Sequence, residues 1–464
     1  MAKKTKSADL SIEEKLEQAL IVPGYEPYKI PDNWCWTTVG TVTNIYRGVS
    51  YKKNEGHSEK HMNDCLVLRG GNIQEGSIDT ETDNVFVNRD LVSGTQIIRK
   101  YDVIIVSSTG SKKVIGRAGI SFSDYSDVAF GAFLTLVRAN DYIYKPFIAY
   151  YLQSDIYRNR IRTLASGVNI NNIRNEYITE TPLSLPPLPE QQRIVERIES
   201  LFSKLDEAKE KAQEVIDSFE TRKAAILHKA FSGELTAKWR EENGVGIESW
   251  ERKRISECCK LGSGGTPSRK NPNYYTGDIP WIKTGEINWN TVNYSEESIT
   301  QEAIDNSSAK VYAPGAVLVA MYGMGITRGK AAILGIEATT NQAVCVLQPK
   351  GYLFNRYLYF FFMCNYWDIR EQAVGGNQLN LSATIIGKLN IDIPNLEEQY
   401  VITELLDSII EKEYQTKQIA ESVIDQIDAM KKAILARAFR GELGTNDPEE
   451  ESAVELLKQI LSGE

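Results

Sequence analysis

Pro186-Pro187-Leu188-Pro189-Glu190-Gln191 returns, 208 residues later, as Pro394-Asn395-Leu396-Glu397-Glu398-Gln399. A second pair stands at the same offset: Ala225-Ile226-Leu227-His228-Lys229-Ala230-Phe231-Ser232-Gly233-Glu234-Leu235 and Ala433-Ile434-Leu435-Ala436-Arg437-Ala438-Phe439-Arg440-Gly441-Glu442-Leu443. One stretch of chain therefore occurs twice at a fixed length, and an internal repeat constrains the fold before any local signal does. Upstream, Gly167-Val168-Asn169-Ile170-Asn171-Asn172 faces Gly375-Gly376-Asn377-Gln378-Leu379-Asn380 at that offset too. Earlier still the match loosens. Leu68-Arg69-Gly70-Gly71-Asn72-Ile73 pairs with Ile282-Lys283-Thr284-Gly285-Glu286-Ile287 at 214, and Gly48-Val49-Ser50-Tyr51-Lys52-Lys53 with Gly265-Thr266-Pro267-Ser268-Arg269-Lys270 at 217. Loops of unequal length produce such drift. Each copy is a variable globular part followed by a length-locked segment.

The locked segment is expected to be a long helix. Ile194, Ile198, Leu201, Leu205, Ala208, Ala212, Val215, Phe219 and Ile226 step by three and four, with the seam skipped at Arg222. Prolines precede it, Glu190 and Gln191 sit in its first turn, and Gly233 is placed to end it. In the second copy Ile402, Leu406, Ile409, Ala420, Val423, Ile427, Met430 and Ile434 keep the register, interrupted at Glu413 and Thr416. Each helix runs about 40 residues, roughly 60 Å at about 1.5 Å per residue. Two such helices in one chain pack most simply on each other.

The globular parts read as mixed and strand-rich. Residues 101–107 and 316–321 are short β-branched runs; residues 148–152 and 357–363 are aromatic helices or buried segments. The expected class is α+β: two strand-rich α/β domains in tandem, each followed by a long helix, the two helices forming an antiparallel intramolecular coiled coil. The boundaries read as an extension 1–30 with an amphipathic stretch 11–20, a globular part 31–185, a helical segment 186–243, a globular part 244–392, a helical segment 393–443, and an acidic tail 444–464 with a short helix near 454–461.

Composition bounds function. A length of 464 residues exceeds one ordinary core, and 42% apolar with 25% charged residues fits a globular protein. No run of eighteen apolar residues occurs, and Met1-Ala2-Lys3-Lys4-Thr5-Lys6 lacks the apolar core of a secretory signal. Six cysteines without a Cys-x-x-Cys pair (Cys258 and Cys259 are adjacent) argue against a disulfide framework and a structural zinc site, and for the cytoplasm. The net charge of −9 is segregated: residues 31–185 carry +1 and residues 251–390 carry +3, leaving −13 for the rest. Neutral to basic globular parts permit a polyanionic partner.

Catalytic motifs are missing. His57 and His61 have metal spacing but no obvious third ligand, and a solvated loop is expected; His228 faces Ala436 in the other copy. Gly323-Met324-Gly325-Ile326-Thr327-Arg328-Gly329-Lys330 is not a phosphate loop: five residues separate Gly323 from Gly329, and Ala331 follows the lysine. Asn271-Pro272-Asn273-Tyr274 misses the second proline of the Asn-Pro-Pro-Tyr of amino-methyltransferases.

What recurs in both copies suits nucleic acid. A Gly-led basic turn places Arg47, Tyr51, Lys52 and Lys53 opposite Thr266, Ser268, Arg269 and Lys270. A basic residue ends a strand, Arg69 facing Lys283. After the apolar strand come Ser108, Ser111, Lys112 and Lys113 in one copy, and Tyr322, Arg328 and Lys330 in the other. Asn169 and Asn171 face Asn377 and near-neighbour Gln378. Lys and Arg neutralise phosphates, and Ser, Thr, Asn and Gln bond to phosphates or base edges.

In this order, the Pro-x-Leu-x-Glu-Gln-x-x-Ile helix starts, the Ala-Ile-Leu-x-x-Ala-Phe-x-Gly-Glu-Leu helix ends, Arg47-Gly48-Val49-Ser50-Tyr51-Lys52-Lys53 and Gly264-Gly265-Thr266-Pro267-Ser268 with Ile279-Pro280-Trp281-Ile282 resemble the specificity subunit of type I restriction–modification systems. The resemblance covers residues 31–443. It implies two target recognition domains, each reading half of a split, asymmetric double-stranded DNA site, and helices that space them. It further implies docking of two modification subunits that carry S-adenosylmethionine and methylate a flipped adenine. Restriction subunits using ATP and Mg would join them, and this chain would hold no cofactor, metal or catalytic residue. The family offers no universal base-contacting motif, so the residues named above rest on their recurrence. The alternative class is a tandem coiled-coil scaffold that binds proteins and no DNA.

Overall fold

The computed structural model describes residues 10–111, 113–166, 172–323, 325–373 and 380–463. Contacts divide it into two units, Met1–Lys211 with Val423–Glu464, and Ala212–Ser422. The division falls inside both helical segments, so neither unit is a contiguous repeat.

In the first unit a four-stranded antiparallel sheet runs in the order Thr43–Arg47, Leu134–Ala139, Val103–Val106, Ala118–Ile120. Its Val103-Ile104-Ile105-Val106 strand is buried on both faces, which is why the sequence shows a continuous apolar run there and no alternation. A three-stranded sheet sets Asp64–Leu68 between antiparallel Phe86–Asn88 and parallel Val128–Phe130. Cys35–Thr38 and Pro182–Leu185 pair where the chain enters and leaves the domain.

The second unit repeats that topology. Cys259–Ser263, Val344–Pro349, Val317–Ala320 and Ala331–Leu334 follow the same order, extended by Thr291–Val292. Ile279–Ile282 lies between antiparallel Ser298–Ile299 and parallel Thr339–Thr340, and Glu251–Arg254 pairs with Asn390–Ile393. The two globular parts are one fold, although their sequences align only loosely.

Strand pairing also corrects the alignment of the basic turn. The Val49 N–H bonds to the Phe130 carbonyl (2.7 Å) and the Gly265 N–H to the Thr340 carbonyl (2.9 Å). Val49 therefore matches Gly265 at an offset of 216, one less than the sequence match suggests. Gly48 corresponds to Gly264, and at both a Cβ would collide with the carbonyl of the facing strand. Glycine is needed here for close approach of two backbones.

The second helical segment is one helix of 43 residues, Leu396–Ala438. The first, expected to be continuous, is two: Leu188–Asp217 of 30 residues and Phe219–Phe231 of 13. The break lies at Ser218, whose hydroxyl bonds to the Glu214 carbonyl, while Arg222 Nη2 bonds to the Val215 carbonyl (3.2 Å). Polar side chains compete there for the backbone acceptors. The path continues through the break, because Ser218 N–H still bonds to Glu214 O (3.0 Å) and Arg222 N–H to Ser218 O (2.9 Å).

Within each unit the two segments run antiparallel. In the first, Asp206 pairs with Lys431 and Lys209 with Asp428 (3.1 Å), so numbers rise on one helix as they fall on the other. In the second, Arg222 Nε meets Glu413 Oε2 at 2.8 Å and Phe219 stacks edge-on against Tyr414 at 5.1 Å. Arg222, which interrupts the first seam, thus meets Glu413, one of the two residues that interrupt the second, as an ion pair. Ala208 and Met430, assigned to the seam, are exposed instead.

Each globular core takes one face from each segment. The first packs on Ile194, Val195 and Ile198 and also on Leu435, Ala438 and Phe439. The second packs on Ile402 and Leu406 and also on Leu227 and Ala230. Gly233 (φ +82°) and Gly441 (φ +74°) follow the helix ends in the left-handed conformation. The helix Ile12–Ala19, capped by Ser11, lies on the helix Ala453–Ser462, whose Ala453, Leu456 and Leu457 complete the first core. Among the described residues no helix is long and apolar enough to cross a membrane.

The repeated Glu-Gln pair turns out to be the joint between domain and helix, and all four side chains are fully buried. Gln191 accepts from the Tyr144 N–H (3.0 Å) and donates to the Pro186 carbonyl (3.0 Å). Gln399 accepts from the Phe354 N–H (2.8 Å) and donates to the Tyr352 and Pro394 carbonyls (2.9 and 2.8 Å). Glu190 accepts from Trp34 Nε1 (3.2 Å) and Thr445 Oγ1 (3.1 Å). Glu398 accepts from Trp250 Nε1 (3.0 Å), Thr236 Oγ1 (2.7 Å) and Arg240 Nη1 (2.6 Å).

Candidate nucleic-acid interface

Arg47 ends an edge strand of the first four-stranded sheet, and its side chain is exposed. Ser107 and Ser108 follow the central strand; their N–H groups both bond to the Phe133 carbonyl (3.1 and 3.0 Å). Ser108 bridges to Asn172. Arg47, Ser107, Ser108, Asn172 and Arg174 line one open cleft of about 360 Å³. The fold thus gathers two guanidinium-bearing residues, the Ser108 hydroxyl and an amide, donors suited to phosphate and base edges, beside the carboxylate of Glu176; the Ser107 hydroxyl is spent on the Phe133 carbonyl (3.0 Å). Arg174 was not among the residues singled out in the sequence. It has no counterpart at the 208 offset, where Ser382 stands, so recurrence could not find it.

The basic turn separates by role. Lys52 and Lys53 are exposed, while the Lys52 N–H caps the turn onto Glu55 Oε2 (2.6 Å). Tyr51 is half-buried and packs on the apolar cluster of Val49, Cys65 and Ala129. In the second domain Lys270 and Ser268 are exposed and Thr266 is half-buried. Arg269 is held: its guanidinium lies 3.9 Å from the Tyr275 ring centroid and pairs with Glu297 at 2.7 Å.

The strand-end pair is also held. Arg69 pairs with Asp83 and donates to its carbonyl (3.0 Å). Lys283 bonds to Glu296 (2.8 Å) and Glu297 (3.1 Å), and these bonds raise its pKa above the usual lysine value. Local geometry repeats here: Arg69 N–H bonds to Asn72 Oδ1 (2.8 Å), Lys283 N–H to Glu286 Oε2 (2.6 Å), each closing a short 3-10 turn. Both bases therefore brace a turn through their backbone while their charge is matched by acids.

In the third place Ser111 and Lys113 are exposed in the first domain; Tyr322 is exposed in the second. Lys330 reaches Asn288 Oδ1 (2.6 Å), and burial, with Arg370 and Lys223 nearby, lowers its pKa. The Arg328 carbonyl accepts from Arg370, and Tyr366 holds the Ile326 carbonyl, so this loop is pinned from the helix Tyr366–Glu371. Ile326 and Trp367 are exposed beside it. Lys112, Asn169, Asn171, Asn377 and Gln378 lie outside the described residues. The expectation that His57 and His61 lack a third ligand is corrected: Asp64 Oδ2 lies 2.7 Å from His57 Nε2 and 3.4 Å from His61 Nδ1.

The model of the type I restriction modification DNA specificity domain matches this chain twice, over residues 31–217 and 247–423. The chain belongs to this family. Type I specificity subunits are also its relatives along nearly their whole length. It is 26% identical to the EcoKI specificity subunit of Escherichia coli K12, over 93% of this chain and 96% of that one. It is 25% identical to the StySPI specificity subunit of Salmonella potsdam, over 89% and 90%. The HsdS subunit of Thermoanaerobacter tengcongensis has the same fold, with a TM-score of 0.63 at 20% identity over 90% of this chain and 99% of that one. A chain from a type I R-M system, solved in a study of complex assembly and conformational transition, superimposes at 0.65 with 20% identity over 90% and 100%. In type I specificity terms, each match joins one globular part to the helix that follows it.

Proposed function

We propose that this chain is the non-catalytic DNA specificity subunit of a type I restriction–modification complex, reading a bipartite, asymmetric double-stranded site. The observation that carries the reading is the pair of domains with one topology and different surface residues, each matched by the DNA specificity model. One topology permits the same docking on DNA twice. Arg47, Ser108 and Arg174 on one side, and Tyr322, Ser268 and Lys270 on the other, make two unlike readers, so the half-sites differ. The helical segments set the number of base pairs between the halves. They also dock two modification subunits, which carry S-adenosylmethionine; restriction subunits using ATP and Mg complete the assembly in the cytoplasm. This chain's own part is binding and spacing.

Methylation mapping of a host carrying the system tests this directly. One interrupted motif with two different halves is expected, and it should vanish when this gene is deleted. Co-expressed complexes that shift random and genomic DNA equally at every salt concentration would instead favour a protein scaffold.

A further inference from the structure

The loop between the strands Thr43–Arg47 and Asp64–Leu68 carries Lys52 and Lys53, and at its far end it closes on itself through His57, His61 and Asp64. Their ligand atoms all lie within 4.8 Å of one another. Each is positioned by the backbone. His57 is fixed to the sheet edge by two bonds with Phe86, from its N–H (3.1 Å) and to its carbonyl (2.8 Å). Asp64 opens the buried strand, and its side chain is only 5% exposed. His61 is one turn away: Asp64 Oδ2 accepts the His61 N–H at 2.7 Å, and Asn63 takes a left-handed φ of +70° to make the turn. The imidazole rings face each other with centroids 4.6 Å apart. Lys60, the nearest cation in sequence, is drawn aside to Asp127 (2.6 Å), which matches its charge.

We propose that His57, His61 and Asp64 bind one divalent transition-metal ion of the zinc class. Two imidazoles and a carboxylate are a zinc ligand set, and three protein ligands leave a fourth position for water. Tetrahedral ligands at about 2.0–2.1 Å from zinc stand about 3.3 Å apart. The His61–Asp64 separation of 3.4 Å already has that spacing, while the 2.7 Å between His57 and Asp64 is a hydrogen bond. The metal takes the place of the proton in that bond. It opens the pair by about 0.6 Å, and the proton moves to the other ring nitrogen or to solvent. His61 is 64% exposed, which gives the ion a path in. The ion would staple the loop to the strand that opens the three-stranded sheet. Among the described residues the second domain has no such staple, and the chain's third histidine is His228, on the helix Phe219–Phe231. The site belongs to one reader alone, and nothing in it depends on how DNA is read.

The test uses the full chain, stripped with chelator and titrated with Co2+ and Zn2+. One equivalent is expected, with visible d–d absorption and no thiolate charge-transfer band, and zinc should raise the unfolding midpoint. His61→Ala alters an exposed side chain, so it should keep the circular dichroism of the parent while losing both the stoichiometric site and the zinc-dependent midpoint. His57→Ala should lose the site too, and His228→Ala should not. Absence of stoichiometric uptake, a thiolate band, or uptake that survives His61→Ala would overturn the proposal.

Discussion

A buried carboxylate with a guanidinium behind it fails differently from one without. Glu398 holds Arg240, whose side chain is 10% exposed; Glu190 holds only Trp34 and Thr445, because Arg193 is taken by Glu450 (2.7 Å). Glu398→Gln strands a buried charge and should cost about 3–5 kcal/mol, read by denaturant unfolding. Glu190→Gln keeps most of its bonds and should cost about 1–2 kcal/mol. Burial raises the Glu190 pKa, against the lowering effect of its two hydrogen bonds. A raised carboxyl contributes stability below its unfolded value of 4.5 that fades as pH climbs through the folded value. Unfolding of Glu190→Gln and parent at pH 4 and pH 7, roughly either side of that window, should show the variant gaining on the parent with rising pH. On the DNA side, Lys53→Ala should weaken binding uniformly across sequences and lower the salt slope by about 1. Lys283→Ala, already matched by Glu296 and Glu297, should leave the slope unchanged. Such matching explains what was legible. Recurrence in sequence marked Arg69 and Lys283 correctly as equivalent, but Asp83, Glu296 and Glu297 lie in loops whose return depends on tertiary structure. The Glu-Gln pairs were visible as a repeat, and their burial was not, because helix-start acids are usually solvated.

At the scale of elements, apolar spacing indicated two long helices, and the break at Ser218 was not legible. It arises from Ser218 and Arg222 reaching backbone carbonyls, a choice that spacing does not record. Arg222 and Glu413 each read as a flaw in its own seam; together they are one feature. A double-mutant cycle to alanine should give a coupling of about 0.5–1 kcal/mol, the range for part-exposed pairs. Replacing both with leucine should be neutral or stabilising, since an apolar pair then fills the place of a part-buried ion pair. Strand order, by contrast, was outside the sequence's reach. Short apolar runs identify strands, and their partners, the same in both domains, are set by tertiary packing that the spacing of apolar residues does not record.

At the scale of the molecule, the linear order of domain, helix, domain, helix was legible, and the grouping in space was not. Phe439, near the end of the second helical segment, packs on Phe147 and Tyr151 of the first domain at 5.3 and 5.1 Å. Phe231, ending the first, packs on Tyr357 of the second domain at 5.0 Å. Each domain is therefore completed by the helix it does not precede. A chain cut to residues 31–243 should expose that face and associate with itself, which sedimentation would show as a dimer. Inserting one heptad opposite the other in both segments adds about 10 Å, or about three base pairs of DNA. Methylation mapping should then return the same two half-sites with the gap changed by about that much. An unchanged gap would rule out the helices as its measure.

The joint at Gln191 and Gln399 has an outcome in heredity. On both sides these amides bond only to main-chain atoms, the N–H of Tyr144 or Phe354 and the carbonyls of Pro186, Tyr352 or Pro394. A main chain offers the same atoms whatever side chains it bears. A recombination event that replaces a whole reader up to this joint therefore leaves the two amide anchors in place, and the new reader needs to keep only the tryptophan that bonds to the neighbouring glutamate and an apolar face toward the helix.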